Sequence, residues 1–348
     1  MNMKDYGFIP TTEQNGDLIP ARITACHKNK FKFACDIGEG LAHLKTSEYV
    51  VGNETYPTTG DFVLVNYRTD GESVIHKTLP RKTCFKRLDP SSSGHGAQAV
   101  AANFDYVFIM QSLNQNFNTN RLERYLTLAW ESGATPVVIL TKADIADDLQ
   151  SKVNEAEQVC LGVDVIAISS KTGYGLDKLE KYLTAGVTIV FLGSSGVGKS
   201  SLVNALAGKE IMNVSEIRAT DGRGRHTTTH RQLIMLDSGV MIVDTPGMRE
   251  IGLWNAADGL EHSFEDIEQY FAKCKFRDCN HQSEPGCAVK RAIANGELSQ
   301  ERWNRYLQLK KESSYSDGKD DYLSQKWKRN KQIAKDVKSL KKRGDIQN

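Results

Sequence analysis

The feature that most constrains the fold is an octapeptide at residues 193–200 that fits the pattern G-x-x-x-x-G-K-[ST]. The apolar run at 187–192 predicts a buried strand before it, and residues 200–206 predict a helix after it. In such a turn, glycines let backbone N–H groups surround an anion, and the helix dipole adds to the attraction. A ligand-free Gly- and Ser-rich turn is the alternative, but a chance match is roughly a one-in-a-hundred event. We therefore predict a phosphate-binding loop, in which Lys199 contacts the β- and γ-phosphates and Ser200 holds Mg²⁺, formed by Gly193, Ser194, Ser195, Gly196, Val197, Gly198, Lys199, Ser200 and Ser201.

Around this loop, apolar strands alternate with amphipathic helices. Helices are predicted at 119–131, 147–161 and 176–184, and strands at 106–111, 136–140, 163–168, 187–192, 233–236 and 240–243. Such alternation predicts a parallel sheet with helices on both faces, which binds ligands at the carboxyl ends of its strands.

Two short motifs at predicted strand ends indicate which base is bound. Thr141, Lys142, Ala143 and Asp144 follow one strand, and the segment Ser169, Ser170, Lys171 follows another. A carboxylate at Asp144 can accept hydrogen bonds from guanine N1–H and N2–H₂, which adenine does not offer. Each motif alone is weak, but together with the phosphate-binding loop they predict a guanine nucleotide.

The γ-phosphate side of the site is predicted from Asp244-Thr245-Pro246-Gly247, which closes a strand. Asp244 would hold Mg²⁺ through water, and the Gly247 N–H would meet the γ-phosphate. The basic, glycine-rich stretch 219–231 is expected to be a switch loop whose Thr229 completes the Mg²⁺ shell. Met248 cannot orient water, so we expect slow intrinsic hydrolysis. His226 is a candidate catalytic residue, with a solvated or RNA-facing histidine as the alternative.

The order of these motifs is unusual. In ordinary small GTPases the phosphate-binding loop comes first and the base motifs last, whereas here the base motifs at 141 and 169 precede the loop at 193. The sequence therefore predicts a circularly permuted domain, in which residues 244–250 continue directly into the next domain.

Residues 18–80 show five short strand patterns separated by turns, which predict a small β-barrel of the OB-fold type. Phe31, Lys32, Phe33 and Lys45 could supply RNA stacking and phosphate contacts, although ordinary barrel packing is the favoured alternative. The segment Pro90–Gly96 has the composition of a flexible linker.

A cluster of metal-binding residue types lies near the C-terminal end. Cys274, Cys279, His281 and Cys287 form a Cys-x₄-Cys-x-His-x₅-Cys pattern, which offers four ligands for one structural Zn²⁺ ion. Reduced cysteines in an ordinary loop are the alternative.

Composition and charge indicate the cellular compartment and the kind of partner. No apolar run is long enough to span a membrane, and seven dispersed cysteines without a leader favour a reducing cytoplasm. The net charge of +2 is uneven: residues 302–348 hold 14 lysine and arginine residues against 6 acidic ones, whereas residues 1–301 hold 31 against 37. The basic end predicts a polyanionic partner, with a solvated basic tail as the alternative.

As a set, these motifs resemble the ribosome small-subunit-dependent GTPase A family of circularly permuted bacterial GTPases over essentially the full chain. The resemblance implies an RNA-binding OB domain at 1–88, a GTPase domain at 89–252 and a zinc-binding helical domain with a basic tail at 253–348. It also implies GTP hydrolysis stimulated by the 30S subunit, binding to 16S rRNA during late subunit maturation, and we expect a monomer. Thr141 departs from the usual Asn, so we expect modest nucleotide affinity. A non-enzymatic RNA-binding protein and a GTPase acting on tRNA or another RNA are the rival hypotheses.

Overall fold

The structure is a computed structural model that describes residues 2–10, 16–27, 30–45, 47–51, 55–88, 97–213, 231–244 and 256–313. Within these residues the chain forms a small barrel, an α/β region and a helical region, in that order. None of the described helices combines the length and apolar character that crossing a membrane requires.

The N-terminal region is a closed five-stranded barrel. Its strands pair in the order β1-β2-β3-β5-β4, and β4 pairs back onto β1 to close the ring. β3 and β5 are parallel, and the other neighbours are antiparallel. This is the predicted OB-type barrel, formed by β1 (Ile19–His27), β2 (Lys30–Cys35), β3 (Glu39–Leu44), β4 (Phe62–Asn66) and β5 (Ser73–Thr78), with a π-helical turn at Ser47–Val51.

The aromatic residues of β2 form part of the barrel core. Phe31 and Phe33 are buried, while Lys32 between them is exposed, because successive side chains of a strand point to opposite faces. Lys45 donates to Glu48 over 2.7 Å. The hypothesis that the two phenyl rings stack on RNA is therefore wrong, and the packing alternative is confirmed for Phe31 and Phe33, whereas a phosphate contact of Lys32 stays a prediction.

Two further strands lie between the barrel and the α/β region. β6 (Cys84–Leu88) and β7 (Ala97–Ala102) pair antiparallel in a separate two-stranded sheet. The predicted linker Pro90–Gly96 lies outside the described residues, but the strands that flank it are paired. The hairpin therefore spans the expected boundary between residues 88 and 89.

The α/β region contains the predicted parallel sheet. Five strands are parallel, and β12 is antiparallel to β13, in the order β10-β9-β8-β11-β13-β12. Along β8, Val107 and Ile109 join one core cluster, while Phe108 and Met110 join another, as expected for a sheet buried on both faces. The strands are β8 (Tyr106–Ser112), β9 (Thr135–Thr141), β10 (Val165–Ala167), β11 (Thr188–Gly193), β12 (Gln232–Met235) and β13 (Met241–Asp244).

The helices of this region are α1 (Thr119–Glu131), α2 (Leu149–Val159) and α3 (Lys199–Ala207), with a 3₁₀ turn at Ala143–Ile145. Asn118 caps α1, since its side chain accepts the Arg121 N–H. The predicted helix at 176–184 is instead a 3₁₀ helix at Asp177–Tyr182. Its buried residues, Leu179 and Tyr182, are three positions apart, and residues at this spacing share one face of a 3₁₀ helix.

The barrel and the α/β sheet are joined edge to edge. β12 pairs with β1 through Ala25 and Gln232, so that barrel and sheet form one 11-stranded sheet. Arg22 is fully buried at this joint and donates to the carbonyls of Gly60 over 3.2 Å and Asn103 over 2.6 Å. Burial lowers the pKa of its guanidinium to about 10, so it stays charged at neutral pH.

The C-terminal region is helical, as predicted, but its first helix is interrupted. Residues 257–273 form short pieces instead of one helix, because Phe264 leaves the helical conformation with a φ of −128° and buries its ring completely. The pieces are α4 (Ala257–Ser263), α5 (Glu265–Glu268) and a 3₁₀ turn at Phe271–Lys273, followed by α6 (Ala288–Ala294) and α7 (300–313).

Candidate functional site

The phosphate-binding loop lies where the sequence placed it, between β11 and α3. Gly196 and Gly198 have φ values of 69° and 102°, in the left-handed region that favours glycine. A Cβ on Gly193 would lie 2.9 Å from the Met110 carbonyl oxygen, so this position also requires glycine. The tight turn therefore depends on the three glycines of the motif.

Lys199 and Asp244 form an ion pair at the carboxyl ends of β11 and β13. Lys199 Nζ lies 2.5 Å from Asp244 Oδ1, and the Asp244 carboxylate is only 1% exposed. The second carboxylate oxygen, Oδ2, is buried and has no hydrogen-bond partner among the described residues. A buried carboxylate oxygen without a partner suits a hard cation such as Mg²⁺, either directly or through water.

The first base motif follows β9 and contacts the phosphate-binding loop. Thr141 is buried, and its hydroxyl lies 2.6 Å from the Val197 carbonyl oxygen and 3.3 Å from that of Gln111. The hydroxyl has one proton, so its shorter contact joins the end of β9 to the loop, a role that goes beyond what the sequence indicated for a threonine at this position. Lys142 next to it has a φ of 63°, which turns the chain into the 3₁₀ turn that carries Asp144.

The two base motifs also contact each other. Ser169 Oγ donates to Asp144 Oδ1 over 2.7 Å, and the Ala143 N–H donates to the Ile168 carbonyl over 3.0 Å. The Ser169 hydroxyl therefore orients the Asp144 carboxylate. Because Asp144 is exposed, this carboxylate is still open to a ligand. The sequence did not indicate this role of the Ser169 hydroxyl. Ser170 is partly exposed and Lys171 is exposed beside it.

The switch residues are outside the structural description. His226, Thr229, Gly247 and Met248 all fall in segments that the structure does not describe. Their roles stay predictions from the sequence.

The four candidate metal ligands converge. One ligand atom from each of Cys274, Cys279, His281 and Cys287 lies within 4.8 Å of all the others. His281 Nδ1 is 3.6 Å from the sulfur atoms of both Cys274 and Cys287, so Nδ1 is the nitrogen directed at the cluster. Three sulfur atoms and one imidazole nitrogen at this separation form a donor set compatible with tetrahedral Zn²⁺.

Surrounding groups hold these ligands in place. The His281 ring stacks on Phe271 with a centroid distance of 4.3 Å. The Ala288 N–H donates to Cys274 Sγ over 3.3 Å, which stabilises a thiolate. Hydrogen bonds from its own backbone N–H and from the backbone N–H groups of Asn280, Gln282 and Ser283 lower the pKa of the Glu284 carboxyl to about 2.

Residues 78–254 match the family model described as RsgA GTPase, which is half of the chain. The chain belongs to the RsgA GTPase family. A relative from Listeria innocua, named small ribosomal subunit biogenesis GTPase RsgA 1, is 44% identical over 319 residues, which is 90% of each chain.

Two solved structures of similar proteins agree with the fold of this RsgA-family chain. The crystal structure of YjeQ from Thermotoga maritima is 29% identical and superposes with a TM-score of 0.63, covering 84% of this chain and 97% of that one. YloQ, described as a circularly permuted GTPase, is 26% identical with a TM-score of 0.60, covering 86% of this chain and 96% of that one. The permuted architecture expected from the motif order is thereby confirmed.

The basic C-terminal end of this family member is divided into two parts. Arg302, which the sequence assigned to a surface for a polyanion, has a side chain only 10% exposed and is paired internally with Glu123 and Asp266. Arg305 also pairs with Glu123, over 3.2 Å. The assignment of these two arginines to a partner surface is therefore wrong. Residues 314–348, with ten lysine and arginine residues against five acidic ones, lie outside the described part.

Proposed function

We propose that this RsgA-family GTPase binds the 30S ribosomal subunit through 16S rRNA and acts in its late assembly, hydrolysing GTP to GDP and phosphate with stimulation by the particle. The observation that carries the GTPase chemistry is the convergence of Lys199, Asp244 and the Asp144–Ser169 pair at the carboxyl edge of one sheet. The names of the relatives support the small-subunit role.

The residues divide the work on the nucleotide. Asp144, oriented by Ser169, accepts the guanine N–H groups, and the loop of residues 193–201 surrounds the phosphates. Lys199 exchanges its contact with Asp244 for one with the β- and γ-phosphates, which releases the carboxylate. Ser200, Asp244 and Thr229 would then hold Mg²⁺. When bound, the ion neutralises charge that develops on the phosphate oxygens.

The sequence offers only weak candidates for the residue that positions the attacking water. The Met248 side chain cannot orient water, so His226 is our candidate in the switch sequence, and we expect slow basal hydrolysis. A partner that orders the switch loop would complete the site and accelerate turnover.

We assign one function to each of the three regions. Residues 1–88 form the RNA-binding barrel, 89–252 the permuted GTPase domain, and 253–348 the zinc domain with its basic tail. The partner surface comprises the outer barrel face and the tail from residue 314. We infer a cytoplasmic monomer with one structural Zn²⁺ ion per chain.

The decisive experiment compares GTP turnover by the full chain with purified 30S subunits, 50S subunits and tRNA in parallel. We expect strong stimulation by 30S alone. Stimulation by 50S or tRNA equal to that by 30S, or no stimulation by any of the three, would refute the small-subunit proposal and leave a GTPase of another target.

A further inference from the structure

The N-terminus of α1 is fixed to the end of β8 by a pair of reciprocal hydrogen bonds. Gln111 Nε2 donates to the Asn118 carbonyl over 2.8 Å, and the Asn118 N–H donates to Gln111 Oε1 over 3.2 Å. Gln111 is buried, and Asn118 is the residue that caps α1. A movement of the end of β8 therefore moves the start of α1 with it.

The same end of β8 is linked to the phosphate-binding loop. The Thr141 hydroxyl lies between the carbonyl oxygens of Gln111 and Val197. Val197 belongs to the loop that closes on the phosphates. The Thr141 hydroxyl thus joins the loop to β9, the backbone pairing of β9 with β8 continues the connection, and Gln111 extends it to the cap of α1.

One turn into α1, a buried carboxylate holds the zinc domain. Glu123 Oε1 lies 2.6 Å from Arg302 Nη1, and its Oε2 lies 3.2 Å from Arg305 Nε. Both arginines are on α7, 179 and 182 positions along the chain. Arg302 continues to Asp266, with Nη2 2.9 Å from Oδ1 and Nε 3.1 Å from Oδ2.

Beside this group of ion pairs, the backbones of α1 and α4 pack in close contact. A Cβ on Gly259 of α4 would lie 2.2 Å from the Thr127 carbonyl oxygen of α1. The Gly259 N–H donates to Glu131 Oε2 over 3.0 Å. Close-packed elements of this kind move together or separate, because they cannot deform by small amounts.

We propose that α1 couples the zinc domain to the phosphate-binding loop, with Glu123 as the positioning residue. This route runs parallel to the covalent connection through residues 245–255. The proposal rests on the proposed stimulation by 30S for its functional meaning, but the coupling itself is a property of the chain alone. Coupling of this kind is reciprocal. If docking of the zinc domain changes the affinity for nucleotide by a given factor, nucleotide binding changes the equilibrium constant of docking by the same factor.

The first test needs no ribosome. Hydrogen exchange of residues 300–313 is measured on the zinc-loaded full chain, with and without a non-hydrolysable GTP analogue. In the wild type we expect the analogue to change protection in this segment at least severalfold. In Glu123→Gln, which keeps the shape of the side chain but removes its charge, the nucleotide-dependent change should disappear. No response of 300–313 in the wild type, or the same response in both proteins, overturns the proposal.

The second test measures hydrolysis. Glu123→Gln should leave basal kcat unchanged, change the affinity for GTP by the coupling factor, and lower the 30S-stimulated kcat about fivefold or more, with 30S affinity retained. Glu180→Gln is the matched control, because Glu180 is exposed and belongs to the 3₁₀ helix at Asp177–Tyr182, not to α1, α4 or α7. A parallel fall of basal and stimulated rates indicates a merely structural role and contradicts the proposal. A wild type that 30S does not stimulate contradicts the proposed function, whereas the exchange experiment still decides the coupling.

A wedge variant supplies an independent perturbation of the same route. Gly259→Ala forces α4 away from α1 without changing any charge. Because both substitutions interrupt one route, the double variant should lose no more stimulation than the more affected single variant. Additive losses would show that the two positions act separately, and the proposed route would then be wrong.

Discussion

Thr141→Val tests how the phosphate-binding loop is held open for its ligand. A peptide unit is planar and trans, so its C=O and N–H point in opposite directions. The Thr141 hydroxyl fixes the Val197 carbonyl over 2.6 Å, and this orients the Gly198 N–H away from Thr141 and into the loop. Valine has the same shape but no donor, so the buried carbonyl loses its partner and the peptide unit is free to turn.

The magnitude follows from one lost hydrogen bond. The hydroxyl has one proton, so only the shorter of its two contacts counts in full. Leaving a buried acceptor without a donor costs about 1–3 kcal/mol. If the whole cost falls on the bound conformation of the loop, GTP affinity drops about 5- to 150-fold, since about 1.4 kcal/mol corresponds to a factor of ten.

The assay is titration of a fluorescent GTP analogue, with urea unfolding of the same samples. Thr141→Ser, which keeps the hydroxyl, should stay within about threefold of the wild type. If Thr141→Val binds the analogue as tightly as the wild type, the hydroxyl does not orient the loop and the argument fails. Weakening in Thr141→Ser but not in Thr141→Val would point to the methyl contact instead.

Three further predictions concern the base, the metal and the partner. Asp144→Asn should weaken GTP binding by about 2–3 kcal/mol and favour xanthosine triphosphate, and unchanged GTP affinity would remove this residue from the site. Metal analysis should find one Zn²⁺ per chain and less in Cys287→Ala, with GTP binding largely intact in the variant; full metal in that variant would refute the ligand assignment. Deleting residues 314–348 should reduce 30S stimulation but spare basal turnover, and raised salt should abolish the stimulation. Stimulation that is indifferent to salt would exclude a phosphate-binding role for the tail.

Most of the fold could be predicted from local sequence patterns. The glycines and lysine of residues 193–200 predicted the loop because their backbone conformation depends on neighbours in the sequence. Strand alternation predicted the barrel for the same reason, including the burial of Phe31 and Phe33 as the favoured alternative. The spacing of the four zinc-type ligands predicted their convergence.

Long-range partners could not be predicted in this way. The sequence shows Arg302 as one positive charge among many, but not that Glu123, 179 positions away, neutralises it inside the protein. Likewise, nothing local to Thr141 indicates that it contacts the loop 56 positions later. Charge counts describe a segment, whereas the function of each charge depends on which carboxylate the fold brings to it.

The pairing of β1 with β12 has a consequence for how the chain can be divided. In the α/β sheet, β12 is the outermost strand beyond β13, and β1 of the barrel covers its free edge at Ala25 and Gln232. An uncovered edge strand offers unpaired N–H and C=O groups to other chains. Excising the barrel would expose this edge and also remove Arg22 from the joint. A fragment that begins at residue 82, which keeps the β6–β7 hairpin, should therefore self-associate. By covering the edge of β12, the barrel protects the GTPase domain against aggregation.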